Sequence, residues 1–562
     1  MRAGRWAGYR SGALREDLIA ALVVSVLLIP QSLAYALLAG LPPQVGLYAT
    51  LLPLVAYAAL GSSPVLGVGP VAVLALMIAQ ALATVPASIG PQAGALVLAA
   101  EIGLLLAVAG WLRLDALASL LSVPVLHGFE TGATLSIALS QLPVLLGSSA
   151  QGSTLPQVLG SWAGGTRVVW HPLTAAIGGI AALALWFARS GAAGLLARWL
   201  PARAAAIVAR LLPLLVLVLA IALAAAGGAG ERGVALVGAL PTLSPAIGLP
   251  LLDAALWWQL LPSALPIALV GYVSSLVVAE SLARRDGKRI DPRRELAGLG
   301  AANIAAALTG GMPVAGSFSR SVLNRVAGSR TRMTGVFTAA LMALAMLLLA
   351  EPLAWLPNAV LAATIIVAVL SGMTFTPFRK AWLYSRSEGV VMAVVAALML
   401  MEGATWALGV GVAASIALLL QRTARPHVAL IGRIEGTEHY RNVGRHEVRL
   451  TPGVVALRID ESLLFTNARQ LTDVVVQHLD HEPAARRVLL LMSPVNRIDF
   501  SGLEALRALH DTLAARGVRL DLSEVKGPVL DALRAGGWSQ WFGGRVFLSH
   551  HQGMLNEHGA SG

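Results

Sequence analysis

Hydrophobic positions come in long, nearly unbroken runs over residues 17–421 and then change character. Runs of about 17–25 apolar residues recur through that part, each long enough to span a hydrocarbon core, and roughly 13–14 meet this criterion. Some are interrupted by Gly or Pro, which spanning helices tolerate. The first run, 18–39, is too long and too interrupted by Pro30 and Gln31 for a cleaved signal peptide, and reads as the first span. Beyond residue 425 charges become frequent and apolar runs shrink to strand length. The alternation there predicts strands over 454–459, 487–492, 518–522 and 546–548, with helices over 468–479, 501–515 and 528–535. Strands alternating with helices imply a small α/β domain. The chain therefore divides into a transmembrane domain, 1–424, with about 14 spans, and a second domain, 425–562.

Composition agrees with a membrane setting. Of 562 residues, 57% are hydrophobic and only 12% are charged, with a mean hydropathy of +0.74. No soluble domain of this size needs so much apolar surface. The net charge of +12 follows from basic loops on one side of a bilayer and does not imply nucleic acid. These loops hold Arg2, Arg5, Arg10 and Arg15, then Arg189, Arg198, Arg203 and Arg210. Further basic clusters lie at 284–294, 325–332 and 379–386. The connections 41–46, 147–172, 227–260, 352–357 and 402–406 carry very few lysines or arginines. This alternation predicts a cytoplasmic N-terminus and a cytoplasmic C-terminal domain. Cysteine is absent, which excludes disulfides, thiolate metal sites and cysteine nucleophiles. No phosphate loop, metal-spaced histidines or nucleophile–base pair is present, so neither an enzyme activity nor a cofactor or metal is expected.

Two apolar segments are broken in the same way. The first is Gly61-Ser62-Ser63-Pro64-Val65-Leu66-Gly67-Val68-Gly69-Pro70-Val71. The second is Gly310-Gly311-Met312-Pro313-Val314-Ala315-Gly316-Ser317-Phe318-Ser319-Arg320-Ser321. Each leads into a short half-span and each is third in its half of the membrane domain. Paired broken segments in corresponding places point to a midplane binding site between inverted repeats. Arg320 adds a charge that costs on the order of 2.5–3.5 kcal/mol to insert if uncompensated. It is read either as an anion contact or as a structural partner of Glu280 or Glu130.

Several motifs together carry a family resemblance. They include Ile29-Pro30-Gln31-Ser32-Leu33-Ala34-Tyr35-Ala36, Gly46-Leu47-Tyr48, Gly67-Val68-Gly69-Pro70 and Ser122-Val123-Pro124-Val125. Asp291-Pro292-Arg293-Arg294-Glu295-Leu296 and Gly316-Ser317-Phe318-Ser319-Arg320-Ser321-Val322-Leu323-Asn324 complete the set. With these the chain resembles the SulP family of anion permeases. Arg497-Ile498-Asp499-Phe500-Ser501-Gly502 and Val525-Lys526-Gly527-Pro528 resemble that family's STAS domain. The resemblance implies a polytopic α-helical membrane protein with two inverted seven-span repeats. These would form core and gate domains as in uracil-type transporters, followed by a small cytoplasmic α/β STAS domain. It further implies a homodimer in the bacterial inner membrane and a small anion, such as sulfate, bicarbonate, chloride or a dicarboxylate, as substrate.

The matching site positions are Phe318, Ser319 and Arg320 from the second half, and Gln31, Tyr35 and Val71 from the first. The residues themselves fit such a role. Helix N-termini offer N–H groups and a partial positive charge of about +0.5 each, and Ser319 and Gln31 add donors. Without the resemblance, Gln31 reads as helix–helix glue and Tyr35 as packing. Relatives often carry a glutamate in span eight, within Gly-aromatic-x-Glu-Ser. Here the stretch is Gly271-Tyr272-Val273-Ser274-Ser275, with Ser274 in that place. Glu280 lies about 240° further around the helix at ~100° per residue and does not replace it. Uncoupled transport or exchange is therefore expected rather than proton symport through that site. Among the carboxylates within spans (Glu101, Glu130 and Glu280), Glu130 is the best alternative proton carrier. Ser501 matches a phosphorylation position of stand-alone STAS proteins, but its place near a helix start favours reading it as the helix cap. A regulatory protein at the STAS domain is a further expected partner. Two other functions stay open: a nucleobase permease of the same fold, and a membrane-anchored signalling protein whose output is the STAS domain.

Overall fold

The computed structural model describes the chain apart from residues 1–10, 115–120, 149, 151, 153, 164–169, 200, 241–247, 425–426 and 556–562. Arg2, Arg5, Arg10 and the junction at Arg425 lie outside the described residues. The helical part divides into two halves. The first comprises α1 (Ser11–Leu38), α2 (Pro43–Tyr48), α3 (Leu52–Leu60), β1 (Gly67–Gly69), α4 (Ala72–Leu82), α5 (Pro91–Trp111), α6 (Val123–Leu146), α7 (Leu155–Ala163), α8 (Pro172–Ser190), α9 (Ala192–Leu196) and α10 (Ala202–Ala226). In the second are α11 (Ala254–Arg285), α12 (Pro292–Leu308), β2 (Ala315–Ser317), α13 (Phe318–Val326), α14 (Met333–Ala354), α15 (Asn358–Leu370), α16 (Thr376–Tyr384), α17 (Arg386–Met401) and α18 (Ala404–Ala424). Among the described residues, 8 helices are long and apolar enough to cross a membrane, and Ala72–Leu82, Leu212–Ala226 and Asn358–Leu370 are shorter apolar helices.

The helices pack into two groups. In one, α12 lies against α3 and α5, α11 against α5 and β2, and α1 against α14. The other joins α6 to α15 and α17, and α8 to α10 and α15. Gly411 brings α18 onto Val125 of α6 and Val395 of α17. The groups meet where α1 packs on α15 and α4 on α6. Each group mixes elements of both halves, as the core-and-gate arrangement implied by the family resemblance requires.

The chain as a whole separates into two compact units, Met1–Ser415 and Ile416–Gly562. The second holds a six-stranded sheet in the order β4-β3-β5-β6-β7-β8. Its strands are β3 (Val428–Arg433), β4 (Tyr440–Asn442), β5 (Val454–Ile459), β6 (Arg487–Leu491), β7 (Arg519–Ser523) and β8 (Val546–Phe547). β5 to β8 run parallel, and β3 pairs antiparallel with both β4 and β5. Helices α19 (Ala468–Asp480), α20 (Phe500–Ala515), α21 (Gly527–Ala535) and α22 (His550–Leu555) complete the domain. The predicted strands and helices are all present within one or two residues. β3, β4 and α22 are additional, because their short mixed sequences lack a clear period.

Candidate functional site

The two broken segments meet. β1 and β2 pair antiparallel, with Gly67 opposite Ser317, Val68 opposite Gly316 and Gly69 opposite Ala315. Each strand runs directly into a half-helix, β1 into α4 and β2 into α13. Neither N-cap, Val71 or Ser317, supplies a side-chain acceptor to the first turn. Both helix starts thus keep N–H groups without an intrahelical partner and the positive end of a dipole. Glycine is required at the crossing: a Cβ on Gly67 would come 2.7 Å from Cβ of Arg320. Gly69 also takes φ +149, a backbone conformation that side chains disfavour.

Buried polar groups hold this crossing in place. The Gly67 N–H donates to Ser321 Oγ at 2.9 Å. Gly316 N–H donates to Ser275 Oγ at 2.7 Å, so Ser275 of α11 supports β2. Ser274 bonds back to Val270 O within its own helix. The Asn303 side chain bonds both Val314 N–H and Val314 C=O. Glu295, fully buried, accepts from Tyr57 O–H at 2.9 Å and from the N–H groups of Ser62 and Ser63 at 3.0 Å each. Asp17, also fully buried, accepts from the Arg330 N–H and from the Thr334 hydroxyl. Sequence reasoning placed Glu295 in a motif and Asp17 at the edge of a span without seeing these roles. A buried acid needs such donors, but the donors lie more than 230 positions away.

Arg320 is 3% exposed. Its Nη1 donates to Pro70 O at 2.7 Å, across the crossing. Nε and Nη2 have no hydrogen-bond partner among the described residues. No carboxylate pairs with it there, and the two acids considered at the sequence level are engaged elsewhere. Glu280 pairs with Arg284 at 3.2 Å, and Glu130 pairs with His127 at 3.3 Å, both side chains being exposed. A buried guanidinium without counter-charge costs several kcal/mol.

Arg320 lines a cavity of about 430 Å³ together with Ser319, Gln31 and Arg189. Its remaining wall is largely apolar, from α1, α8, α10, α13 and α15. The cavity therefore gathers three of the six expected site residues: Gln31, Ser319 and Arg320. Tyr35 is buried in the adjoining core, Val71 caps α4, and Phe318 is exposed, all three outside the lining. Glu130 is away from the cavity. Glu101 is 3% exposed, and both its carboxylate oxygens lack a partner among the described residues. Arg189 is the lining residue that sequence reasoning missed, having counted it with the loop charges; it sits in the last turn of α8.

In the second unit, Ser501 follows the start of α20, and its neighbour Asp499 is the cap, accepting from Gly502 N–H at 2.8 Å. Ser501 itself is exposed.

Comparisons with known proteins agree with this architecture. A sequence profile of the sulfate permease family matches residues 14–395, and one of the STAS domain matches 445–553. The chain is 34% identical over 534 residues to a protein of Mycobacterium tuberculosis named as a probable sulfate transporter, covering 94% of this chain and 92% of that one. It is 32% identical over 541 residues to the chloroplastic sulfate transporter 4.1 of Arabidopsis thaliana, covering 93% and 76%. The fold matches the murine anion transporter Slc26a9 in its inward-facing state with a TM-score of 0.87 at 22% identity, over 99% of this chain and 93% of that one. The transmembrane domain of a cyanobacterial bicarbonate transporter, BicA, matches with 0.58 at 22% identity, over 72% and 98%. Broken helices crossing at a buried arginine, followed by a STAS domain, are thus set within a shared sequence, and the chain belongs to the sulfate permease family.

Proposed function

We propose that the protein carries a small anion across the bacterial inner membrane by alternating access, holding it in the cavity at Arg320. The observation that carries this reading is a buried guanidinium with two unbonded nitrogens, no carboxylate partner among the described residues and a place on a cavity wall. An anion supplies the missing counter-charge and acceptors. Ser319 and Gln31 add donors from α13 and α1. The open first turns of α4 and α13 add backbone N–H groups. Phe318, Tyr35 and Val71 shape the surroundings rather than touch the ligand. The names of the relatives favour sulfate or bicarbonate over a nucleobase.

The helix group containing α4 and α13 moves against the group containing α6, α8 and α15, carrying the anion with it. Ser274 leaves that position of span eight without a carboxylate, so exchange or uncoupled flux is favoured over proton symport there. Glu130, exposed beside His127, is a poor proton carrier for this cavity. The charge alternation puts both termini in the cytoplasm. The 425–562 region acts as a regulatory or dimerising STAS domain. Ser501 is accessible to a kinase, since Asp499 rather than Ser501 caps the helix. No catalytic role is assigned.

Uptake into proteoliposomes, across a panel of anions and with and without a pH gradient, tests the reading. Anion flux is expected, and Arg320→Ala is expected to abolish it. Full transport by that variant would remove Arg320 from the site. A shortened chain ending at residue 424 that still binds anion would separate a transporter from a signalling protein whose output is the STAS domain.

A further inference from the structure

The cavity has two guanidinium groups and no carboxylate in its lining. Arg320 comes from α13 and Arg189 from the last turn of α8, so the two cations belong to the two different helix groups. Arg320 is fixed by its bond to Pro70 O. For Arg189, no hydrogen bond or ion pair is present among the described residues. It is an exposed side chain on the wall of the cavity, with a long arm and an unengaged charge.

We propose that Arg189 is a second cationic contact of the transported anion and sets the cavity's preference for doubly over singly charged oxyanions. This rests on the cavity being the anion site. Coulomb energy is proportional to the ligand's charge at a given separation. A second cation therefore stabilises a divalent anion by about twice what it gives a monovalent one. The ratio of affinities changes accordingly: if losing the charge weakens a monovalent anion by some factor, it weakens a divalent anion by roughly the square of that factor. Because the two arginines belong to different helix groups, a divalent anion between them also links those groups electrostatically.

Equilibrium binding of sulfate and nitrate to the purified full-length protein tests the proposal, with thermal unfolding as the control for folding. Arg189→Gln is expected to weaken nitrate about threefold and sulfate about tenfold. Arg189→Lys, which keeps the charge, is expected to retain the sulfate-to-nitrate ratio within about twofold. Equal weakening of both anions by Arg189→Gln, or no weakening of either, would overturn it. So would a wild-type protein that binds nitrate as tightly as sulfate. Arg320→Gln supplies the separate control for the site. If it leaves both affinities unchanged, the anion-site reading fails. If it weakens both while Arg189→Gln weakens neither, only the role of Arg189 is lost.

Discussion

Two arginines are buried among the described residues, and their surroundings could hardly differ more. Arg487, in the STAS sheet, is 1% exposed. It donates from Nε to Asp521 at 2.6 Å and from Nη2 to Gly553 O at 2.7 Å, and lies 5.3 Å from the Phe547 ring centroid. Asp521 also accepts from the Arg545 N–H at 2.7 Å. Arg320 is buried nearly as deeply but has one carbonyl and a cavity. The first belongs to an ion-paired cluster, in which Asp521 also accepts from Arg519 Nε at 3.1 Å, that joins β6, β7 and α22. The second is left unbalanced at the point where two half-helices begin. Burial alone therefore does not mark a charge as functional; what supports the proposed role of Arg320 is burial without a counter-charge together with a place on a cavity wall.

The largest expected effect tests the balanced pair. Asp521→Asn removes the carboxylate that Arg487 donates to and should destabilise the STAS domain by about 3–5 kcal/mol, read by chemical denaturation. A neutral pair, Arg487→Met with Asp521→Leu, should recover most of that loss. Next is the acid response beside the same pair. Burial, and secondarily the Arg487 charge, push His550 down to about 4 from 6.5. Its Nδ1 bonds Ser523 Oγ at 2.8 Å in the neutral form. The folded state takes up the proton less readily than the unfolded chain. Stability is thus whole above about pH 6.5 and falls as pH drops toward 4, by about 3 kcal/mol in all. His550→Gln should flatten that slope in pH-dependent melting.

Arg320→Gln should act the other way from Asp521→Asn. It should cut anion uptake about a hundredfold, equivalent to about 2.7 kcal/mol, and leave the melting temperature unchanged or raised, since an uncompensated charge is removed. A lowered melting temperature with uptake intact would make Arg320 another Arg487. The smallest effect concerns the frame around Arg320. Ser321→Ala removes the acceptor of the Gly67 N–H and should cost about 1–2 kcal/mol, measured by thermal unfolding in detergent.

Much of the frame was legible in the sequence. Hydrophobic length marked 8 helices long enough to cross a membrane among the described residues and overcounted where apolar runs fold as shorter or broken helices, while the paired Gly/Pro interruptions marked the two segments that cross. The STAS strands followed from their alternation. Other features depended on distance in space rather than pattern along the chain. Arg320 reaches a carbonyl 250 positions away, and nothing local distinguishes it from a paired arginine. Glu295 looks like one charge in a basic stretch, yet it is the acceptor for the turn before β1. Arg189 looks like one of four loop arginines, because the residue at which a helix ends decides whether its side chain faces water or a cavity. Of the six expected site residues, Phe318, Tyr35 and Val71 lie outside the cavity lining, whereas Gln31, assigned like Tyr35 through the family resemblance, lies in it.

The bonds that brace the crossing share one property. Those of Glu295, Asn303, Ser275, Ser321 and Asp17 all join elements within a single helix group. Between the groups the described residues make mainly apolar contact, with hydrogen bonds from the Ala404 N–H to Gln80 Oε1 at 3.2 Å and, from the segment after α10, from the Gly238 N–H to Ala354 O at the end of α14 at 3.1 Å. Sliding one apolar helix face past another forfeits little if new contacts replace the old ones, whereas breaking a buried hydrogen bond leaves an orphaned group. The molecule is therefore stiff around Arg320, where the proposed function places the anion, and more weakly braced along one seam. Under the proposed alternating-access mechanism, displacement is taken up along that seam and the geometry around Arg320 is carried through it unchanged.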